Sequence, residues 1–328
     1  FLSRKLYRVR LGHHAADTLA SIDRSATVVF VMNHRSNMDY VLVTYLAAEQ
    51  SALSYAVGEW ARVWPLSRLI RAMGAYFIRR RSRGELYRRV LARYVALATE
   101  GGVTQAVFPE GGLSLDGALA KPKLGILRYI VDGYDAEERD VVFIPVAINY
   151  DRVFEDKILV AAGQRGDRRF GARISVVVKY IWRITWRWAT GRYHRFGYAA
   201  VSFGAPLSLR AFAGTKPLLI EDLATDLMRR IGAVVPVLPV PLAASVFLSA
   251  KAPLSFAAYR EAFCAVIEAM PEAHIHAPRE DMDYAVEYGL RNLVARGFVS
   301  ETEGTYSATD EGRPLLHYYA NSIAHLLR

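Results

Sequence analysis

TVVFVMNHRSNMDY, residues 27–40, is the stretch on which the fold turns. The run Thr27–Met32 is short, apolar and β-branched, and reads as a buried strand. Asn33–Asn37 follow as a polar loop, and from Met38 to Ala48 the chain has helical character. A buried strand that empties into a polar loop and then a helix is the unit of an α/β protein, where function gathers at strand ends. The same grammar returns downstream. VTQAVF (103–108) reads as a strand ending in Pro109-Glu110-Gly111-Gly112, VVFIPVAINY (141–150) as a third, and VSFG (201–204) as a fourth. Between them ELYRRVLARYVALATE (85–100) is an amphipathic helix, with Leu86, Val90, Tyr94, Leu97 and Ala98 on one arc and Arg88, Arg89 and Arg93 elsewhere.

Past about residue 215 the texture changes. Leu223, Leu227 and Ile231 fall at helical spacing, and the remainder is mostly helical. One interruption, 288–316, reads as helix, short hairpin turning at Glu303-Gly304, then helix. The division expected is therefore an α/β domain over 1–215 and a mainly helical region with a small wing-like β-hairpin over 216–328.

Composition narrows the class. The 328 residues are 52% hydrophobic and 23% charged, which excludes a disordered tail, a collagenous rod or a disulfide miniprotein. A single cysteine, Cys264, forbids an internal disulfide and makes a cysteine metal site unattractive; no metal and no cofactor are expected. The chain opens on Phe1 rather than Met and is read as trimmed.

The net charge of +10 is uneven. Residues 62–93 hold ten arginines against Glu85, and 164–195 hold nine basic residues against Asp167, whereas 267–313 hold ten acids against four arginines. A cationic face attracts phosphorylated molecules, anionic lipid or nucleic acid. The wing-like hairpin would suit DNA, but it lies in the acidic third, and duplex binding needs phosphates neutralised. Nucleic acid is excluded as a partner on that ground. The uncharged run 231–250 is long enough to span a bilayer, yet Pro236, Pro239 and Pro241 break its first half, so it reads as an extended segment leading into a buried helix. The segment 179–196 interleaves Trp182, Trp186 and Trp188 with Arg183, Arg187 and Arg192, a pattern suited to peripheral attachment at an anionic membrane surface.

Four blocks carry the candidate chemistry. In the first, His34 and Asp39 stand five residues apart across a turn; the carboxylate would orient the imidazole and stabilise its cation, leaving a general base. No G-x-S-x-G accompanies the pair, so a substrate hydroxyl is a better target than an enzyme serine. The second block, Gly74–Arg81, is cationic after an apolar run. The third, Phe108–Gly112, is glycine-rich with backbone N–H groups suited to an anion. The fourth is Ile144–Asp151.

Together and in this order, at 34–39, 74–80, 108–112 and 144–146, the blocks resemble the H-x-x-x-x-D glycerolipid acyltransferases. The HRS-x-M-D-Y and IPVAINYDRV forms look most like the glycerol-3-phosphate acyltransferase branch. The resemblance implies a mixed β-sheet flanked by helices. It also implies transfer of a fatty acyl group from acyl-CoA or acyl carrier protein, as co-substrate, to the sn-1 hydroxyl of glycerol 3-phosphate, giving lysophosphatidate for phospholipid biosynthesis. His34 would be the base and Asp39 its partner. Arg35, Ser36, Arg79, Arg80, Glu110, Gly111, Gly112 and Lys121 would bind the acceptor, and Pro145 would support the donor side. The place implied is the cytoplasmic face of the cell membrane, held peripherally. Two features depart from the family. Its third block usually continues E-G-x-R-S-R, where this chain has Leu113 and Leu115, and Asn37 stands where a second histidine is common. Phosphate binding then falls to Arg79, Arg80, Arg35, Lys121 or Lys123, or the acceptor differs. The alternatives left open are dihydroxyacetone phosphate or lysophosphatidate as acceptor, and a catalytically silent membrane-binding scaffold.

Overall fold

The computed structural model describes residues 7–11, 22–39, 42, 54–58, 75–78, 84–166, 197–215 and 219–327. Its centre is a mixed sheet of eight strands: β1 (Arg8–Leu11), β2 (Thr27–Met32), β3 (Ser54–Gly58), β4 (Ala75–Ile78), β5 (Gln105–Val107), β6 (Val141–Tyr150), β7 (Tyr198–Phe203) and β8 (Leu207–Ser208). Their spatial order is β1-β7-β6-β2-β5-β3-β4, with β8 also on β6. Strands β6, β2, β5, β3 and β4 run parallel, while β7 and β8 pair antiparallel with β6. The second block contributes Ala75–Ile78 as β4.

Every residue of β6 is buried, as a central strand covered on both faces requires. Pro145 within it has no N–H to give. It lies opposite the break between β7 and β8, where Gly204 N–H donates to the Pro145 carbonyl at 2.8 Å.

Helices flank the sheet: α1 (Glu85–Glu100), α2 (Gly125–Asp132), α3 (Asp156–Gln164), α4 (Leu209–Thr215) and α5 (Ile220–Ala233). On α5 the periodic Leu223, Leu227 and Ile231 are all fully buried, as their spacing predicts. On α1 the arc expected to be the packing face is the outer one. Leu86, Val90 and Leu97 are 77, 59 and 50% exposed, and burial falls to Val95 and Thr99. Thr27 Oγ1 donates to the Thr99 carbonyl at 2.8 Å, which fixes the inner face to β2.

The other α-helices among the described residues are α6 (Pro239–Ser249), α7 (Phe256–Glu268), α8 (Met282–Ala295) and α9 (Arg313–Ala320). The apolar run read as a buried helix is α6, which begins at Pro239 and is buried from there to Phe247. No helix among the described residues is long and apolar enough to cross a membrane. The wing-like hairpin is present as β10 (Val299–Thr302) and β11 (Thr305–Ala308), joined by Glu303 and Gly304 at φ 49° and 74°. Two successive positive φ values match the right-handed strand twist, which is why Gly304 follows Glu303 here. A short strand β9 (Leu254–Ser255) completes this small antiparallel sheet on β11.

Candidate active site

The site stands where β2 and β5 end and β6 runs on. In register Met32 faces Val146, so β6 extends four residues beyond the last pair. Asn33 bridges that overhang with its side chain. Its amide donates to the Ile148 carbonyl at 2.9 Å and accepts the Ile148 N–H at 2.8 Å, as a strand residue's backbone would. The next residue is His34, so the imidazole is carried on a loop whose root is fastened to the sheet.

His34 Nδ1 lies 2.9 Å from Asp39 Oδ2, and both residues are buried, at 4 and 0% exposure. The same Asp39 oxygen accepts the backbone N–H groups of Arg35 at 2.7 Å and Ser36 at 3.0 Å. The other, Oδ1, accepts the Tyr150 hydroxyl at 2.5 Å. Four groups thus converge on the two oxygens of this buried carboxylate and hold it in place beside the imidazole. The ring of Phe108 packs against that of His34 with centroids 4.2 Å apart.

Two further carboxyls fasten the loop. Glu155, just before α3, accepts the Ser36 hydroxyl at 2.8 Å and the Asn37 amide at 2.9 Å, so the Ser36 proton is committed to the protein. Burial raises the Glu155 carboxyl above its ordinary range, with the bonds from Ser36 and Asn37 opposing. Glu110 accepts the N–H of His34 and that of Ala120, each at 3.3 Å. Burial pushes its carboxyl up to about 7, with those two N–H groups and Arg35 pulling it back.

Arg35 is buried beside the pair. One terminal nitrogen, Nη1, donates to the Gly117 carbonyl, and the guanidinium carbon sits 4.8 Å from the centre of the Tyr318 ring on α9. Gly117 has φ +89°, and a Cβ there would lie 1.8 Å from the Tyr318 carbonyl oxygen; only glycine lets this loop approach α9. Leu113 and Leu115 pack against the apolar core, and Leu115 Cβ lies 3.3 Å from where a Cβ on Gly163 of α3 would stand. Where the resembled family carries arginines, this chain builds packing contacts.

The other expected residues are placed as follows. Gly111 closes a turn by donating its N–H to the Phe108 carbonyl at 2.9 Å, and Gly112 follows it. Lys121 and Lys123 are exposed, and the Lys123 stem runs over Gly111. Pro145 is inside the sheet, level with Val31. Arg79, Arg80 and the tryptophan segment 179–196 lie outside the described residues. The structure thus brings His34, Arg35, Ser36, Asp39 and Glu110 together, and adds Tyr150, Glu155 and Tyr318, which the sequence reading had not assigned.

Asp151 follows Tyr150 and is fully enclosed. It accepts N–H groups from Val240 at 3.0 Å and Tyr198 at 3.1 Å, while burial pushes its carboxyl up to about 7 from 3.8. The folded chain therefore holds a proton that the unfolded chain has released. The resulting stability is complete below about pH 3.8 and is lost as pH rises to about 7. Between pH 5 and 8 the wild type is expected to lose about 2 kcal/mol that Asp151→Asn does not lose. Urea unfolding of both proteins at the two pH values checks this, and equal slopes would remove Asp151 as the source.

Two family models share the chain: the Acyltransferase family matches residues 14–149, and the Glycerol-3-phosphate acyltransferase C-terminal region matches 189–328. The chain is 29% identical over 356 residues to a glycerol-3-phosphate acyltransferase of Xanthomonas campestris pv. campestris, with 98% of this chain and 38% of that protein covered. It is 26% identical over 327 residues to a glycerol-3-phosphate acyltransferase of Alteromonas mediterranea, with 91 and 39% covered. It therefore spans less than two fifths of the length of these curated relatives. Among solved structures it is similar to the 1-acyl-sn-glycerophosphate (LPA) acyltransferase PlsC from Thermotoga maritima. The TM-score is 0.41 and the identity 19%, with 68% of this chain and 70% of that one covered.

Proposed function

We propose that this chain, which matches the Acyltransferase family over residues 14–149 and the Glycerol-3-phosphate acyltransferase C-terminal region over 189–328, moves a fatty acyl group from an acyl thioester to the sn-1 hydroxyl of glycerol 3-phosphate. The observation that carries the reading is the His34–Asp39 pair at 2.9 Å, buried at the end of β2. With Nδ1 turned to Asp39, the imidazole takes the hydroxyl proton through Nε2 while the oxygen attacks the thioester carbonyl. The tetrahedral intermediate collapses, the C–S bond breaks, and His34 returns the proton to the leaving thiolate. Asp39 stabilises the imidazolium throughout. Acyl-CoA and acyl carrier protein both fit as donors, and lysophosphatidate is the product.

The acceptor phosphate falls to Arg79, Arg80, Arg35 and Lys121, since Leu113 and Leu115 offer no charge. Dihydroxyacetone phosphate and lysophosphatidate, phosphorylated as well, are the other acceptors; those same leucines favour a second reading, a catalytically silent membrane-binding scaffold, against which the paired His34 and Asp39 speak. Peripheral attachment to the cytoplasmic face of an anionic membrane accompanies the first reading, resting on the basic and aromatic residues of 62–93 and 179–196.

One experiment tests these points. The protein is incubated with palmitoyl-CoA and, in parallel, each of the three acceptors, with and without anionic vesicles, and the products are identified by mass spectrometry. Lysophosphatidate from glycerol 3-phosphate, with the protein sedimenting on the vesicles, is the expected result. Phosphatidate alone would move the assignment to lysophosphatidate, and no acyl product from any acceptor would end it.

A further inference from the structure

We propose that Tyr150 is a positioning residue for the His34–Asp39 pair, its hydroxyl holding the carboxylate oxygen that the imidazole does not use. The inference rests on the reading of His34 as a general base. Three donors (His34 Nδ1–H and the N–H groups of Arg35 and Ser36) converge on Asp39 Oδ2. All three come from the one loop that also carries Asp39. A carboxylate gripped through a single oxygen can still turn about its Cβ–Cγ bond, and every such turn changes the angle it presents to the imidazole. Tyr150 supplies a grip on Oδ1 from a different element, 111 residues away in sequence.

That element is an inner strand of the sheet, buried along its whole length. Tyr150 is the last residue of β6, on the four-residue overhang that carries the strand past Met32 and under the 33–39 loop. It is fully buried in the same apolar cluster as Ile144, Val146 and Ile148. Its ring packs on that of Tyr7, with centroids 5.3 Å apart and planes inclined by 56°. Tyr7 is tied in turn, donating its hydroxyl to the Arg152 carbonyl at 2.9 Å. The phenol is thus fixed by the sheet, and the sheet fixes the dyad through it. Burial, and then the adjacent Asp39 charge, push the phenol well above its ordinary range, so it stays a donor wherever the dyad works. A phenylalanine would fill the same space and leave Oδ1 without this hydroxyl.

The test compares Tyr150→Phe with Tyr259→Phe, a control that removes another fully buried tyrosine hydroxyl, one that donates to the Val286 carbonyl at 3.1 Å. In Tyr150→Phe, kcat is expected to fall about ten- to 100-fold, the scale of one hydrogen bond to a charged group, while both KM values stay within about twofold. Taking an O–H donor from the carboxylate lets the dyad take up a proton more readily. The acid limb of kcat/KM should therefore move to higher pH by roughly half a unit or more. Tyr259→Phe should show neither change at a similar loss of melting temperature. A second readout needs no substrate: in 15N-histidine-labelled protein, the His34 Nδ1 resonance and its titration midpoint should move in Tyr150→Phe only. If wild type transfers no acyl group, the general-base reading fails while this spectroscopic arm still judges the contact. A fall in kcat with an unmoved acid limb and an unmoved imidazole signal would make Tyr150 merely structural and overturn the proposal, as would wild-type turnover.

Discussion

His34→Ala is expected to lower acyl transfer by roughly 10²–10⁴-fold, the usual contribution of a general base. The loss belongs in kcat, because the imidazole acts on the proton in flight rather than on the resting acceptor. Packing complicates the variant: the ring is buried against Phe108 rather than displayed on the loop, so its removal leaves a small cavity. A cost of about 1–3 kcal/mol in stability should accompany the kinetic effect. His34→Gln fills more of the space and separates the two. If either variant, folded by circular dichroism, retains more than half of wild-type turnover, the base is another group.

Arg296→Leu carries the largest expected stability effect, about 3–5 kcal/mol, because removing one partner strands the other in the interior. Arg296 stands just past α8 with its side chain 11% exposed, donating to Asp156 at the start of α3 and to the Tyr319 hydroxyl at 3.0 Å. Tyr319 in turn donates to Asp156 and accepts the Val153 N–H at 3.1 Å. Burial works against the guanidinium charge, but Tyr319 and Asp156 outweigh it and its affinity for its proton rises. Adding Asp156→Leu to Arg296→Leu should return much of the loss, since no stranded charge then remains. Denaturant midpoints measure both. A single-variant cost below about 1 kcal/mol would mean that water reaches the cluster and the burial argument fails.

Residues whose structure is decided locally were legible. Strands β2 and β6 and helix α1 occupy the residues their runs predict, and the Glu303-Gly304 turn is written in its dipeptide. Strand β1, by contrast, is four residues whose burial runs from intermediate to exposed; it exists because β7 offers a ladder, and nothing in RVRL announces that. The face of α1 misled for a related reason. A periodic apolar arc states that a face exists, whereas which face packs is decided by the neighbour, here through Thr99 and Val95. In the site, His34 and Asp39 were readable because five residues and one turn separate them. Tyr150 and Glu155 lie 111 and 119 residues from their partners, and only the register of β6 on β2 delivers them. Leu113 and Leu115 stood out as departures, and the structure supplies their use as packing against the core and α3.

The backing of the Arg35 loop by Tyr318 sets an order of events in the life of the chain. The Tyr318 hydroxyl reaches the Arg35 carbonyl at 3.4 Å across 283 residues of sequence. The stacking of Arg35 and the close passage of Gly117 depend on the same helix. At a synthesis rate of about 5–20 residues per second, His34 and Asp39 leave the ribosome tens of seconds or roughly a minute before α9 exists to brace the loop beside them. The nascent protein carries the His34–Asp39 pair early, and the loop beside it gains its backing only when residues 313–322 fold back onto it. A chain cut short before Arg313 would therefore carry His34, Asp39 and the loop between them with no α9 to back it.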